Sequence, residues 1–430
     1  MPRQAMKFLK LSVFSLLCFF ADLASAQDTP KSHLKVEQNK LVNSKGEAVV
    51  LTGFGLGGWL MPEGYMLGLP KPYDSPRRIR NAVVELTDQA TADKFFTLYE
   101  ANYVSEDDIK AIASWGFNSL RVPFNADRIM PRDKQGKSAP YYFDPSGLAL
   151  LDNVVAWASK YQLYVILDMH AAPGGQSAHN IADSDGVARL WHEPEVYWPQ
   201  TIALWETLAR RYKDNPWMIG YDVLNEPMLP GTEELGGDKF EQHDNMPLRK
   251  LYMQISKALR NIDQGKKILF LEGGFWAQNM KDLLPAWDDN TVYAFHAYPA
   301  PTSIEQLPTS VKEVIAEGHP VWFGEGGENW NKLAWQDWLA FNRKFTSMME
   351  RDMVGWSWWT TKKFARATQP WQCHHPQGFS VITTYLADRG PKPSKEFASK
   401  VLLKMVENLA TEQCRLLPEF VESIGGNLSK

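Results

Sequence analysis

The stretch 222–227 has the sequence Asp-Val-Leu-Asn-Glu-Pro, an apolar run that ends on an amide, a carboxylate and a proline. Proline cannot donate to a neighbouring strand, so strand pairing must stop there. A carboxylate at the carboxyl end of a buried strand is a common position for acid–base groups in barrels of parallel strands. Asn225-Glu226-Pro227 is also ordinary turn chemistry, so by itself the tripeptide leaves both interpretations open.

Short apolar runs of the same kind alternate with amphipathic segments along the chain. Residues 148–157 and 202–212 carry apolar side chains at helical spacing, which predicts crossover helices. A doubly wound α/β sheet uses the same alternation and is the main alternative. The number of runs and the polar residues that end them favour a (β/α)8 barrel of the α/β class. The eight predicted strands are residues 50–54, 119–123, 164–169, 219–224, 268–271, 292–295, 321–323 and 354–359.

The segment 34–50 precedes the barrel and has the pattern of a small N-terminal β-hairpin. Its predicted strands are residues 35–37 and 48–50, which flank the turn sequence Asn-Ser-Lys-Gly at 43–46. Three later stretches exceed the usual length of connections, and all follow polar strand ends. We expect them to be long loops that form the walls of a cleft. They are residues 61–104, 176–198 and 229–245.

Composition and charge restrict the class of protein. A chain of 430 residues can bury a large core, and no linker-like stretch divides it, so we expect one domain over residues 27–430. The formal net charge of -4 provides no basic stripe, so nucleic acid is not an expected partner. The 17 Trp, 15 Tyr and 21 Phe suit ligands with apolar C–H faces, such as sugars, although a barrel core also contains many aromatic rings.

The N-terminus has the pattern of a secretory signal peptide over residues 1–26. Lys7 and Lys10 are followed by the apolar run 11–20, and Ala-Ser-Ala at 24–26 is a typical cleavage sequence. The apolar run is short for a membrane span, so we expect no stable membrane insertion after signal removal, with an uncleaved anchor as the lesser alternative. The expected location is secreted, periplasmic or extracellular.

Two cysteines, Cys373 and Cys414, remain after removal of the signal. In an oxidising compartment one disulfide is plausible, but two free buried thiols are also compatible with the sequence. We find no Cys/His cluster with zinc spacing and predict no metal site.

The residues that end the predicted strands form a ring rich in carboxylates. Two carboxylates that face each other across a pocket are the minimum for hydrolysing an acetal, because one protonates the leaving oxygen while the other attacks or activates water. Glu226 and Glu325 end the fourth and seventh predicted strands, which lie across a barrel from each other. Glu272 is the rival of Glu325, but the fifth strand is not opposite the fourth. The strand-end set is Glu63, Arg121, His170, Asn225, Glu226, Glu272, His296, Tyr298, Glu325 and Trp359.

Five motifs, one per strand and in order, make the chain similar to glycoside hydrolase family 5. Three further stretches, 57–63, 170–176 and 355–359, are similar to the exo-β-1,3-glucanase-like branch of that family. The five motifs are Arg121-Val122-Pro123, Asp168-Met169-His170, Leu224-Asn225-Glu226-Pro227, His296-Ala297-Tyr298 and Phe323-Gly324-Glu325-Gly326.

The resemblance implies a single catalytic domain and a role for each strand-end residue. Glu226 would be the general acid/base and Glu325 the nucleophile of a retaining double displacement, and Asn225 would bind the sugar 2-hydroxyl. The substrate would be a β-1,3- or β-1,4-glucan, the protein a monomer, and neither cofactor nor metal would be needed. The other implied substrate-binding residues are Arg121, His170, His296 and Tyr298 at the reacting sugar, Glu63 at distal hydroxyls, and Trp359 as the stacking floor.

Two departures from the family pattern concern substrate choice. Glu325 is followed by Gly326-Gly327 where many relatives have a bulky residue, and Thr361 stands where the glucanase branch often has a second tryptophan. A β-mannanase or glycolipid glycosidase of the same family is therefore an alternative. A non-catalytic carbohydrate-binding barrel is a second alternative, which predicts the loss of one carboxylate, whereas both are present. A metal-dependent lyase or isomerase on the same fold is a third, which the Asn-Glu pair disfavours.

Overall fold

Eight parallel strands close into a barrel in the computed structural model, which describes residues 33–298, 305–327, 333–364 and 368–429. Each strand pairs with its neighbour in the chain, and the last strand pairs with both the first and the seventh. The predicted (β/α)8 fold and all eight strand positions are confirmed. The strands are β1 (Thr52–Gly55), β2 (Ser119–Asn125), β3 (Tyr164–Ala171), β4 (Met218–Asp222), β5 (Ile268–Glu272), β6 (Thr291–Ala297), β7 (Val321–Gly326) and β8 (Gly355–Trp359).

Helices lie between the strands, except that the connection from β5 to β6 contains only a four-residue helix. Short helices of four residues lie in the connections that follow β1 to β5: Gly64–Leu67, Ala126–Ile129, Arg189–His192, Thr232–Leu235 and Gly274–Ala277. The longer helices are Pro76–Leu86, Gln89–Tyr103, Glu106–Ser114, Pro145–Lys160, Pro194–Tyr212, Met246–Asp263, Thr309–Ala316, Trp335–Arg351, Phe379–Leu386, Lys395–Glu407 and Pro418–Ser423.

Local sequence explains where several of these helices begin. Ser105 and Asp108 form a capping box at Glu106–Ser114, in which each side chain bonds the backbone N–H of the other residue. At Pro145–Lys160, the Asp144 side chain accepts from the Ser146 N–H and a proline occupies the first turn, where its missing N–H costs nothing. The strands, in contrast, are buried on both faces, which is typical of parallel sheets covered by helices.

The N-terminal hairpin covers the amino-terminal end of the barrel, but its predicted second strand was wrong. Lys35–Glu37 pairs with Lys40–Val42 rather than with residues 48–50, of which only Ala48 forms a bridge, to Val42. The predicted turn does exist, because the Asn43 side chain accepts from the backbone N–H groups of Lys45 and Glu47. Leu34 and Leu41 pack against the barrel interior, which fixes the hairpin there.

A disulfide joins Cys373 to Cys414, with the sulfur atoms 2.03 Å apart, and so decides between the alternatives left open by the sequence. It lies beside a three-stranded sheet formed by Lys362–Lys363, Trp371–Gln372 and Arg415–Leu416. This sheet continues directly from β8, so the disulfide connects the C-terminal region to the chain that leaves the catalytic face.

The long connections after β1, β3 and β4 lie where they were predicted, but the first is mostly helical rather than a loop. Its helices are Gly64–Leu67, Pro76–Leu86 and Gln89–Tyr103. The predicted signal peptide, residues 1–26, lies outside the described residues. Within the described ranges, no helix has both the length and the apolar composition required to cross a bilayer.

Candidate active site

Arg121 lies at the centre of the carboxyl-terminal face and is fully buried. Its Nη1 lies 2.6 Å from Glu325 Oε1, its Nε 2.7 Å from Asp222 Oδ2, and its Nη2 2.7 Å from Asn225 Oδ1. Nη2 also lies 3.1 Å from Glu272 Oε1. One guanidinium on β2 therefore contacts groups at the ends of β4, β5 and β7.

The carboxylates around Arg121 offset the free-energy cost of burying its positive charge. Burial alone would lower the pKa of Arg121, but Asp168, Asp222, Glu325 and Glu272 together raise it well above its ordinary value. Burial, reinforced by Glu272, raises the pKa of Asp222 well above the usual carboxyl range despite the contact with Arg121. The surrounding carboxylates therefore keep Arg121 charged despite its burial.

Glu226 follows β4 in an unusual backbone conformation. Its φ is +41°, a left-handed value that is uncommon for a residue with a Cβ and is found mostly where surrounding contacts enforce it. One such contact is explicit: the Glu226 N–H donates to Glu272 Oε2 at 2.6 Å. The Glu226 side chain points to the site, where Oε1 lies 2.7 Å from His296 Nδ1.

Glu325 on β7 is held through both oxygens. Arg121 contacts Oε1, and the Tyr298 hydroxyl donates to Oε2 at 2.7 Å. Burial, together with the charge of Glu325, raises the pKa of Tyr298 well above its ordinary value, so the phenol remains a donor. Carboxylate oxygens of Glu226 and Glu325 lie within 4.8 Å of each other.

His296 on β6 lies between the carboxylates. Its Nδ1 is 2.7 Å from Glu226 Oε1 and 3.6 Å from Glu325 Oε2, and its Nε2 is 3.1 Å from Glu272 Oε1. Burial would lower the pKa of His296, but Glu272, Glu325 and Glu226 outweigh it and raise the pKa well above its ordinary value. The hydrogen bond to Glu226 holds the imidazole beside the proposed proton donor.

His170 and Trp359 form the adjoining side of the site. His170 Nδ1 lies 2.8 Å from Asp168 Oδ2, and its ring stacks on the Trp359 indole with centroids 5.3 Å apart. Burial opposes protonation, but Asp168 and Glu325 raise the pKa of His170. Trp359 Nε1 donates to the Tyr65 hydroxyl at 2.8 Å.

A glycine allows this indole to approach the backbone of the first connection. A Cβ at Gly57 would lie 2.5 Å from a carbon of the Trp359 ring. Trp356 and Trp358 occupy the opposite face of β8 and are buried in the core, because side chains alternate along a strand.

Residues 83–364 match the sequence model of the family described as Cellulase (glycosyl hydrolase family 5), and the match covers more than half of the chain. The chain belongs to glycosyl hydrolase family 5. It is accordingly a glycoside hydrolase, and the family predicted from its five motifs is confirmed.

Curated relatives of this family 5 chain have different named activities. A beta-xylosidase of Phanerodontia chrysosporium is 29% identical over 77% of this chain and 71% of its own length. A probable glucan 1,3-beta-glucosidase A of Aspergillus fumigatus is 27% identical over 62% of this chain and 59% of its own length. Endoglucanase C of Acetivibrio thermocellus is 30% identical over 46% of this chain and 50% of its own length. The chain thus spans between one half and three quarters of these relatives.

Solved structures agree on the fold. The crystal structure of AoRut has a TM-score of 0.59 at 18% identity, covering 74% of this chain and 91% of that one. The crystal structure of an endogalactoceramidase has a TM-score of 0.55 at 18% identity, covering 86% of this chain and 84% of that one.

Glu63 lies in the family 5 site even though it belongs to a connection rather than a strand. Its side chain is buried, and Oε2 lies 3.5 Å from Asn180 Nδ2. Burial, reinforced by Glu325 and Glu226, raises the pKa of Glu63 to about 8, against the opposing effects of His170 and Lys363. At neutral pH Glu63 is mostly protonated and can donate as well as accept a hydrogen bond.

The structure also brings in residues that the sequence did not assign. Glu272 is fully buried behind Glu226 and His296, where it accepts hydrogen bonds instead of facing the cleft as a nucleophile. Gln176 Nε2 donates at 2.8 Å to the backbone oxygens of both His170 and Asn225, which ties the ends of β3 and β4 together. The motif 170–176 contains Gln176, but nothing in that motif indicates its two partners.

Three consecutive residues after β5 have left-handed backbones: Phe275, Trp276 and Ala277, with φ of 52°, 60° and 61°. They place the Trp276 ring 4.7 Å from the ring of His179, which belongs to the connection after β3. Such strain is concentrated at functional sites. The pair Gly273-Gly274 before it was the only sequence signal of an irregular backbone there.

Of the described residues, Glu226, His296 and Glu325 form the group whose ligand atoms could converge on a cation. Their atoms are already paired with one another, with Arg121 and with Tyr298. The arrangement can therefore place two carboxyl groups, an imidazole and a hydroxyl donor around one bond.

Proposed function

We propose that this chain is a retaining β-glycosidase that hydrolyses the O-glycosidic bonds of a β-glucan by double displacement. The observation that carries the proposal is the approach of Glu226 and Glu325 oxygens to within 4.8 Å. Carboxyl groups roughly 5–5.5 Å apart are typical of retaining glycosidases, whereas inverting enzymes separate them by about 6.5–9.5 Å to admit a water molecule.

In the first step Glu325 attacks the anomeric carbon, and the bond from that carbon to the leaving oxygen breaks. Glu226 gives its proton to that oxygen, so the first sugar leaves as an alcohol and the second remains as an ester on Glu325. Arg121 and Tyr298 contact different oxygens of Glu325, which fixes the orientation of the attacking carboxylate.

In the second step Glu226 takes a proton from water while the water oxygen attacks the same carbon and releases Glu325. The hydrogen bond between Glu226 and His296 supports this reversal, since the pair can hold the proton in one step and accept it in the next.

The surrounding residues would bind the sugar in this mechanism. Asn225 accepts from the same guanidinium that contacts Glu325, and His170 Nδ1 lies 3.9 Å from Glu325 Oε1. Both can contact hydroxyls of the reacting ring, while the Trp359 indole offers an apolar face. Glu63, mostly protonated near neutral pH, is suited to hydroxyls further along the chain of sugars.

The choice of β-glucan is supported by the relatives named as a glucan 1,3-beta-glucosidase and an endoglucanase. A β-xyloside is the second candidate, because the relative named as a beta-xylosidase matches 77% of this chain. We further propose secretion into an oxidising compartment. The signal pattern over residues 1–26 and the disulfide Cys373–Cys414 both support that location.

The test is product analysis on β-1,3-, β-1,4- and β-1,6-glucans, mannan and xylo-oligosaccharides. We expect glucose-containing products from a β-1,3- or β-1,4-glucan and their loss in Glu325→Gln, with the variant as stable to heat as the wild type. Products from mannan or xylan alone would refute the choice of substrate. Retained hydrolysis by Glu325→Gln would refute the mechanism.

A further inference from the structure

Glu272 is connected to both proposed catalytic residues, to Glu226 directly and to Glu325 through Arg121. Its Oε2 accepts the Glu226 N–H at 2.6 Å, and its Oε1 lies 3.1 Å from both His296 Nε2 and Arg121 Nη2. Arg121 in turn contacts Glu325. Glu272 is fully buried, so its carboxylate serves these groups and not solvent.

We propose that Glu272 is a positioning residue that fixes the backbone of Glu226 and the imidazole of His296, so that the proton donor and the nucleophile meet at one bond. This inference rests on the proposed function. Glu272 is not expected to touch substrate, because its oxygens face the Glu226 backbone, His296 and Arg121.

The backbone contact has a specific consequence. Glu226 has a φ of +41°, a conformation that is unfavourable for a residue with a Cβ unless surrounding contacts stabilise it. The hydrogen bond from its N–H to Glu272 stabilises that conformation. Without it, Glu226 can relax towards an ordinary backbone, and the carboxyl group moves away from the leaving oxygen.

The contact with His296 has a second consequence, because a negative charge beside an imidazole favours its protonated form. With the carboxylate of Glu272 replaced by a neutral group, the His296 imidazolium should lose its proton at lower pH. The ionisable groups within 4 Å of the His296 ring nitrogens are Glu226 after β4, Glu272 on β5 and Glu325 on β7. Two more lie against these carboxylates: Arg121 contacts Glu272 and Glu325, and Tyr298 contacts Glu325.

Asp222 provides a matched comparison. It is also fully buried and accepts from Arg121 Nε at 2.7 Å. The Glu226 N–H donates to Glu272, and His296 Nδ1 is hydrogen-bonded to Glu226. Neither of these hydrogen bonds involves Asp222. Asp222→Asn therefore alters a contact of Arg121 and leaves the hydrogen bonds of the Glu226 N–H and of His296 in place. A change seen in Glu272→Gln but not in Asp222→Asn therefore reports the contacts that Glu272 alone makes.

The experiment measures two quantities in the wild type, Glu272→Gln and Asp222→Asn. The first is the pH profile of kcat/KM on an aryl β-glucoside. The second, which needs no substrate, is the titration of the His296 ring protons by NMR. In Glu272→Gln we expect the alkaline limb of the profile and the His296 midpoint to move down by about one pH unit. In Asp222→Asn the alkaline limb and the His296 midpoint should both stay at their wild-type pH, even where the value of kcat/KM falls.

Unchanged values in Glu272→Gln, or equal shifts in Asp222→Asn, would overturn the inference. If Glu272→Gln does not fold, Glu272→Asp provides the test. That variant keeps the negative charge, but its side chain is one methylene shorter and holds the Glu226 backbone less well. We therefore expect the His296 titration midpoint of the wild type and a kcat reduced by roughly 100-fold. Unchanged kcat would overturn the inference. If the wild type has no glycosidase activity but the His296 midpoint still shifts in Glu272→Gln, the proposed function is refuted and the role of the Glu272 contacts remains supported.

Discussion

Arg121 Nη1 lies 2.6 Å from Glu325 Oε1, although the two residues are 204 positions apart in the chain. Both are buried, so a cation and a carboxylate meet where water screens them little. The contact leaves Glu325 Oε2 to the Tyr298 hydroxyl. The two oxygens of the proposed nucleophile therefore have different partners, and each partner can be removed separately.

Tyr298→Phe should reduce kcat by about 10- to 100-fold, because a hydrogen bond to a charged group contributes about 1.5–3 kcal/mol. KM should change less, since the phenol contacts the nucleophile. Steady-state kinetics on an aryl β-glucoside measures both constants. Tyr293→Phe is the matched control: Tyr293 lies on β6, the strand that directly precedes Tyr298, but its hydroxyl donates to the Leu283 backbone oxygen. An equal loss of kcat in both variants would argue against a role for Tyr298 at Glu325.

Glu226→Ala should lose about 10²–10⁴-fold in rate on substrates with poor leaving groups, the usual contribution of a general acid. A dinitrophenyl glycoside needs no protonation of its leaving group, so its first step should be much less affected. Added azide should restore turnover and yield a β-glycosyl azide, because it needs no general base. The opposite result, an equal loss on both substrates without azide rescue, would indicate that Glu226 is not the acid/base.

The positions of the site residues were predictable because each motif ends a strand, and parallel strands place their carboxyl ends on one face. The ion network was not predictable. Asp222 and Glu272 contact Arg121 only because the barrel closes, and no local pattern indicates which carboxylates will meet a guanidinium 101 or 151 positions away. Glu272 therefore resembled a possible nucleophile in the sequence, while the structure places it behind Glu226.

The second strand of the N-terminal hairpin was predicted wrongly for a local reason. Asn-Ser-Lys-Gly at 43–46 is the stronger turn sequence, and the structure does contain that turn. The hairpin itself turns earlier, after Gln38, which has a left-handed φ of 56° without being glycine or asparagine. Packing of Leu34 and Leu41 onto the barrel interior selects this register, and such tertiary contacts are not visible in the sequence.

The stability of the protein should depend on pH through Glu63. Its pKa is about 8 in the folded chain against 4.5 for an ordinary glutamate, so between these values the folded state holds a proton that the unfolded state has lost. Stability from this group must therefore fall as pH rises from about 4.5 to 8. In urea unfolding at pH 5, 6.5 and 8, the free energy of unfolding of Glu63→Gln should rise relative to that of the wild type at each increase in pH. A constant difference would show that Glu63 does not titrate in this range.

The disulfide should stabilise the chain by about 2–4 kcal/mol, since it closes a loop with a sequence separation of 41. The double variant Cys373→Ala/Cys414→Ala should unfold at correspondingly lower urea concentration. Reducing agent should lower the unfolding midpoint of the wild type but not that of the double variant. An identical midpoint for both proteins without reductant would contradict this expectation.

The stereochemistry of hydrolysis tests the central claim most directly, because it follows from the separation of Glu226 and Glu325. Proton NMR of a β-glucoside digest records the anomer that is released first, before mutarotation. We predict the β-anomer, as expected for two displacements through an ester on Glu325. Release of the α-anomer first would mean a single displacement by water and would contradict the account.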